Sequence, residues 1–131
     1  MIFFTFLTVR DYIKYAPPIF EVEEGARHDS AIFNGLVARL TGVSESEAEE
    51  NAFRMLYDQL RDQGNAVLRD MSFEQVVQHL GNDGGEERMF DLLLRSGRYG
   101  DHFGARPDGL TLAQLKQHPH GMDFGPLRSR L

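Results

Sequence analysis

The sequence predicts a mainly α, α+β fold, in which a small N-terminal β element packs on a bundle of four or five short helices. Three observations lead to it. The opening stretch holds Ile2, Phe3, Phe4, Phe6, Leu7 and Val9, an apolar run dominated by aromatic and β-branched side chains, which favours a strand. From residue 29 onward, apolar residues recur at helical spacing between capping residues and glycine stops. The chain has 131 residues, 41% apolar and 26% charged, enough for one domain with one core and the composition of an ordinary globular protein.

The β element comes first. The strand is expected to run to about Leu7 and to give way to a short turn of helix, because Val9, Tyr12 and Ile13 have helical spacing. Pro17 and Pro18 end whatever precedes them, since proline lacks an N–H and restricts the residue before it. Ile19 to Glu24 reads as a short second strand with Phe20 and Val22 on one face.

The helices follow. Asp29 or Ser30 caps a first helix carrying Ile32, Phe33, Leu36, Val37 and Leu40, and Gly42 stops it. Ser46 with Glu49, or the overlapping Ser44 with Glu47, forms a capping box for a second helix of about 17 residues. Its apolar positions are Ala48, Ala52, Phe53, Met55, Leu56 and Leu60, and Gly64 closes it. Ser72 and Gln75 open a third helix with Phe73, Val76, Val77 and Leu80, ended by Gly81. The loop from Asp83 to Gly85 caps a fourth, Glu86 to Arg95, with Met89, Phe90, Leu92, Leu93 and Leu94 and a stop at Gly97. Thr111 and Gln114 begin a short fifth helix with Leu112 and Leu115, ended near Pro119.

Residues 97–109, rich in Gly, Pro and Asp, read as a long loop, and 118–131 as an irregular, partly mobile tail to a single domain spanning 1–131. Each helix is one-sided and must pack against another. The expected core is Phe3, Phe6, Leu7, Phe33, Leu36, Val37, Leu40, Phe53, Leu56, Leu60, Val76, Val77, Leu80, Phe90, Leu93 and Leu94.

Charge narrows the function classes. The 14 basic and 20 acidic residues give a net charge of −6, which argues against a generally basic nucleic-acid binder. With no cysteine, disulfides, thiolate metal sites and cysteine nucleophiles are excluded. No stretch reaches the roughly 18 apolar residues of a membrane span, and the apolar start lacks a positive leader and a cleavage site, so the expected location is the cytoplasm, or the host cytosol for a viral protein. The imbalance is local: Glu21, Glu23, Glu24, Asp29, Glu45, Glu47, Glu49 and Glu50 are opposed only by Arg27 and Arg39. Residues 21–50 therefore carry the whole excess.

Within that segment, Leu36-Val37-Ala38-Arg39-Leu40-Thr41-Gly42-Val43-Ser44 resembles the turn of helix-turn-helix repressors, with Ala38, Gly42, Val43 and Ser44 at the family's spacing over about 15 residues. The resemblance implies that the following helix reads DNA. In this chain that helix opens with Glu45, Glu47, Glu49 and Glu50, which repel phosphate, and Asn51 stands where the family buries an aliphatic residue. Carboxylates there are equally explained by the helix dipole. His28-Asp29 resembles the doublet of HD phosphohydrolases, but no histidine precedes it to supply that family's first metal ligand.

Other chemistry is sparse. His118 and His120 could ligate a metal with Asp101, His102 or Asp123, but nothing in the spacing makes three ligands converge. His79, at the end of a helix, reads as a residue placed favourably to the helix dipole. Asn82 to Glu86 lacks the alternating oxygen ligands of a calcium loop. Neither a nucleophile elbow nor a phosphate loop occurs. The segment 95–106 mixes glycine with Arg95, Arg98, Tyr99, Phe103 and Arg106, residue types that anchor interfaces; the plainer reading folds Tyr99 and Phe103 back onto the core.

The expected function is therefore a non-catalytic inhibitor or adaptor, such as a phage or plasmid accessory protein, without a cofactor or metal. Glu45, Glu47, Glu49 and Glu50 would dock on a basic surface of a protein partner, and Arg95, Arg98, Tyr99, Phe103 and Arg106 would add anchors. The alternatives are a regulator built on the helix-turn-helix-like turn and a metal-dependent hydrolase using the C-terminal histidines.

Overall fold

A computed structural model describes residues 10–21, 23–80 and 84–126. Among these residues, five helices and two strands follow in the order β1 (Arg10–Ile13), α1 (Asp29–Thr41), α2 (Glu45–Asp62), α3 (Phe73–His79), α4 (Gly85–Arg95), α5 (Leu112–Lys116) and β2 (Met122–Pro126). The fold is mainly helical with a small two-stranded antiparallel sheet, as the sequence predicts.

The sheet itself differs from expectation. The strand expected to Leu7 lies outside the described residues. Tyr12 and Ile13, expected in a helical turn, are in β1, and its partner is the chain's far end: Arg10 pairs with Pro126, Tyr12 with Asp123 and Ile13 with Met122. Residues 118–131, expected to be irregular, thus contribute β2. The Arg10 guanidinium donates to Asp123 at 2.8 Å, and the Tyr12 hydroxyl donates to the His120 carbonyl. Gly121 makes the entry to β2 fit: its φ is +77°, and a Cβ there would meet the Tyr12 hydroxyl at 2.5 Å and the Ile13 carbonyl at 2.7 Å. The second strand expected at Ile19 to Glu24 does not form among its described residues, and Ile19 and Phe20 are 89% and 84% exposed.

Helix ends follow local chemistry. Ser72 with Gln75 and Thr111 with Gln114 form the predicted capping boxes. At α2 the box is Ser44 with Glu47, the overlapping option, rather than Ser46 with Glu49. Helix α1 begins after His28 without a side-chain cap, so neither Asp29 nor Ser30 caps it; Asp29 sits in the first turn, where its charge suits the dipole. Gly42 closes α1 in the left-handed conformation at φ 77°.

The core sits between α2, α3 and α4. Phe53, Tyr57, Leu68, Phe73, Val76, Leu80, Leu92 and Phe103 are buried together, with Leu56, Leu60, Val77 and Met89 half-buried against them. Phe73 lies 5.6 Å from Phe53 and 5.5 Å from Tyr57, ring centre to ring centre, in tilted and edge-on contact. The Tyr57 hydroxyl reaches the Met71 carbonyl at 2.6 Å, so its polar end is satisfied.

The expected core needs two corrections. Leu93 points outward, because α4 turns Leu92 to the centre and its neighbour one step round the helix faces water. On α1, Phe33, Leu36, Val37 and Leu40 are exposed, and the residues that helix buries are Gly35 and Ala38. Phe3, Phe6 and Leu7 lie outside the described residues.

Candidate functional site

The four glutamates expected to dock on a partner cluster on the first two turns of α2, but three of them already serve the fold. The Glu47 carboxylate accepts from the Ser44 backbone N–H at 2.8 Å and from its hydroxyl at 2.7 Å. These bonds, the backbone one first, hold its pKa below the ordinary glutamate value. Glu49 Oε1 accepts from the Gly85 N–H at 2.6 Å and so caps α4 from another helix. Glu50 pairs with Arg88 through two contacts of 2.7 and 3.3 Å, and the Arg88 guanidinium lies 3.9 Å over the Phe53 ring. Glu45 is exposed and 3.9 Å from Arg27. Glu21, Glu23, Glu24 and Asp29 are also exposed, so the accessible acids of the −6 segment surround α1 in sequence on both sides.

The arginine- and aromatic-rich loop is organised from within. Arg95, 11% exposed, forms a bidentate pair with Asp101, both contacts 2.8 Å, and donates to the His79 carbonyl at 2.5 Å. The Asp101 carboxylate also accepts from the backbone N–H groups of Phe103 and Gly104, each at 3.1 Å. That turn places His102 and Phe103 at φ 52° and 57°, and Phe103 enters the core. Tyr99 stacks on Phe124 of β2 at 4.1 Å and donates to Asp11 at 2.5 Å. Arg98 stands 3.4 Å from Asp11, and Arg106 donates to the Arg98 carbonyl at 2.7 Å; both are exposed. Of the five loop residues expected to anchor a partner, Arg95 and Phe103 are interior supports and Tyr99 joins the loop to the sheet.

The surface that sequence reasoning missed is α1. Ile32, Phe33, Leu36, Val37 and Leu40 are 44–78% exposed, while Gly35 and Ala38 face α2. Small residues allow that approach: a Cβ on Gly35 would meet the Glu45 carboxylate at 3.2 Å and the Arg39 guanidinium at 3.3 Å. The signal was present in the sequence, because Gly35 and Ala38 fall three residues apart on the side opposite Ile32, Phe33 and Leu36. Five large apolar side chains make a patch on the order of 500 Å², near the upper end of what a monomer leaves in water. The turn after α1 is built as the repressor resemblance implies, with Ala38 buried, Gly42 left-handed and Ser44 capping α2, while the helix it opens begins with the internally bonded acids.

Catalytic arrangements are thin. A shallow cleft of about 450 Å³ is lined by Tyr15, Pro18, His28, Ser30, Glu87 and Phe90 among others. Glu87 there is held below its ordinary pKa, first by the Lys116 hydrogen bond at 2.5 Å and then by the Tyr15 hydroxyl at 2.6 Å. This is the signature of a structural carboxylate in a tie between the 14–18 segment, α4 and α5. Among the described residues no group of three His, Asp or Glu is placed to hold a metal ion; His118 and His120 are exposed on the approach to β2. Nor is any helix among them long and apolar enough to cross a membrane. Comparison with protein-family models, curated proteins and solved structures gives no match.

Proposed function

We propose that the protein is a non-catalytic binding protein, an inhibitor or adaptor, that docks the acidic segment 21–50 on a basic surface of another protein. The observation that carries this reading is the apolar face of α1, exposed inside the segment that holds the whole net charge. Apolar anchors supply affinity by leaving water, and surrounding carboxylates steer the encounter and select a basic partner. This differs from docking through Glu45, Glu47, Glu49 and Glu50 alone, because the last three have structural work within the fold. The mechanism is steric: occupying the partner's surface blocks or bridges it.

The test is capture of the partner by the full chain, its identification, and calorimetry with purified components. Charge reversal of the exposed Glu21, Glu23, Glu24 and Glu45 to Lys should weaken binding by about tenfold or more, and added salt should weaken the native complex. Affinity unchanged by both treatments refutes the reading.

A further inference from the structure

Resting on that reading, we infer that α1 receives an amphipathic helix of the partner, one that carries lysine or arginine beside its own apolar stripe. Ile32, Phe33, Leu36, Val37 and Leu40 recur at i, i+1, i+4, i+5 and i+8 and run along one side of the helix for about 12 Å. A stripe of that length and spacing matches the anchors that a second helix presents at i, i+3, i+4 and i+7. Helix on helix is also the contact this surface can offer, because the backbone groups of α1 are used in its own hydrogen bonds and its side chains alone face outward.

Charge selects between a foreign helix and a second copy of this chain. The stripe lies in a segment with eight acids against Arg27 and Arg39, and Glu21, Glu23, Glu24, Asp29 and Glu45 are exposed there. Pairing two such segments sets like charges against each other, whereas a helix with basic flanks neutralises them. The small-residue side of α1 is already spent on α2, so the occupant adds to the outer side and leaves the α1–α2 contact intact.

The probe is a synthetic peptide of about 18 residues, long enough to form a helix, with leucine on one face and lysine on the other; its counterpart replaces lysine with glutamate. Fluorescence anisotropy with the full chain should show binding of the lysine peptide, none of the glutamate peptide, and a loss of about tenfold or more for Phe33→Asp/Leu36→Asp. Circular dichroism of that variant should match the native chain, and Leu40→Asp supplies a second variant should the first misfold. Equal binding by native and variant chains, or absence of binding, overturns the inference. A native dimer that the variant dissociates assigns the stripe to a second copy. Binding that emerges only with Phe3→Ser/Phe6→Ser assigns it to the chain's own residues 1–9. Should the captured partner still bind the α1 variant but not the charge-reversed chain, this inference fails and the proposed function stands; a partner that ignores both charge reversal and added salt defeats the function itself.

Discussion

Helices α1 and α2 are consecutive, joined by a three-residue turn, and packed on one another, yet they bury opposite kinds of side chain. Helix α2 turns Phe53 and Tyr57 into the core beside Phe73, and Ala48 is its one buried small residue. Helix α1 turns Gly35 and Ala38 inward and keeps Ile32, Phe33, Leu36, Val37 and Leu40 outside. Each has a clear apolar stripe. The difference is that α3, α4 and the 97–110 loop cover the stripe of α2, whereas α1 packs on α2 by its narrow side and leaves its stripe exposed. A periodic stripe shows that a helix wants a partner; whether the chain itself supplies one is a property of the whole topology.

The largest effect that would break this comparison is expected in the core. Leu92 is fully buried between the elements that cover α2. Leu92→Ala should therefore cost about 2–5 kcal/mol in urea denaturation, the sum of lost transfer energy and an unfilled cavity. A loss below about 1 kcal/mol would mean that the α2–α3–α4 core is no better packed than the surface of α1.

How far these regions were legible follows from the range of the interactions that make them. Capping boxes at Ser72 and Thr111 and the left-handed Gly42 act over a few residues, so local spacing revealed them. The pairing of β1 with β2 joins Tyr12 to Asp123 across almost the whole chain, and Gly121, Gly125 and Pro126 hide the alternation that would have marked β2. The loop around Asp101 is hard to read locally for a related reason. Arginine and aromatic residues look like interface anchors until the carboxylate that holds them is located, and Asp101 does so by gripping Arg95 and two backbone N–H groups. The exposure of the α1 face is not legible locally, because helical periodicity does not show which other element is placed to cover it.

A smaller effect is expected where the periphery is tied to the core. Glu87 of α4 accepts from Lys116 of α5 and from Tyr15, which leads into the exposed 17–20 segment. Those bonds favour the ionised form and lower its pKa from the ordinary value of 4.5. A carboxylate with a depressed folded pKa contributes stability that is complete above its unfolded pKa and disappears as pH falls through the folded value. Glu87→Gln should thus be less stable than the native chain at pH 7, and the gap should close as pH falls below 4.5. Denaturation curves at a series of pH values measure it. A gap that persists unchanged into acid would show that Glu87 acts through packing and not through its charge.

The smallest effect sharpens the comparison most. On α1, Leu36 leaves half of its surface in water, so Leu36→Ser loses only about half of the transfer term that punishes Leu92→Ala and opens no enclosed cavity. Serine is a weaker helix former than leucine by a few tenths of a kcal/mol, and with the half-buried area the expected loss is about 1 kcal/mol, below the range for Leu92→Ala. The same change should reduce binding of the lysine peptide, because there the side chain does leave water. Stability and binding would then separate: residues packed in the α2–α3–α4 core govern whether the chain folds, and the outward residues of α1 govern what it holds. A loss of stability comparable to that of Leu92→Ala would collapse the distinction, since it would mean that the α1 stripe is covered in the free protein and that the surface offered to a partner lies elsewhere.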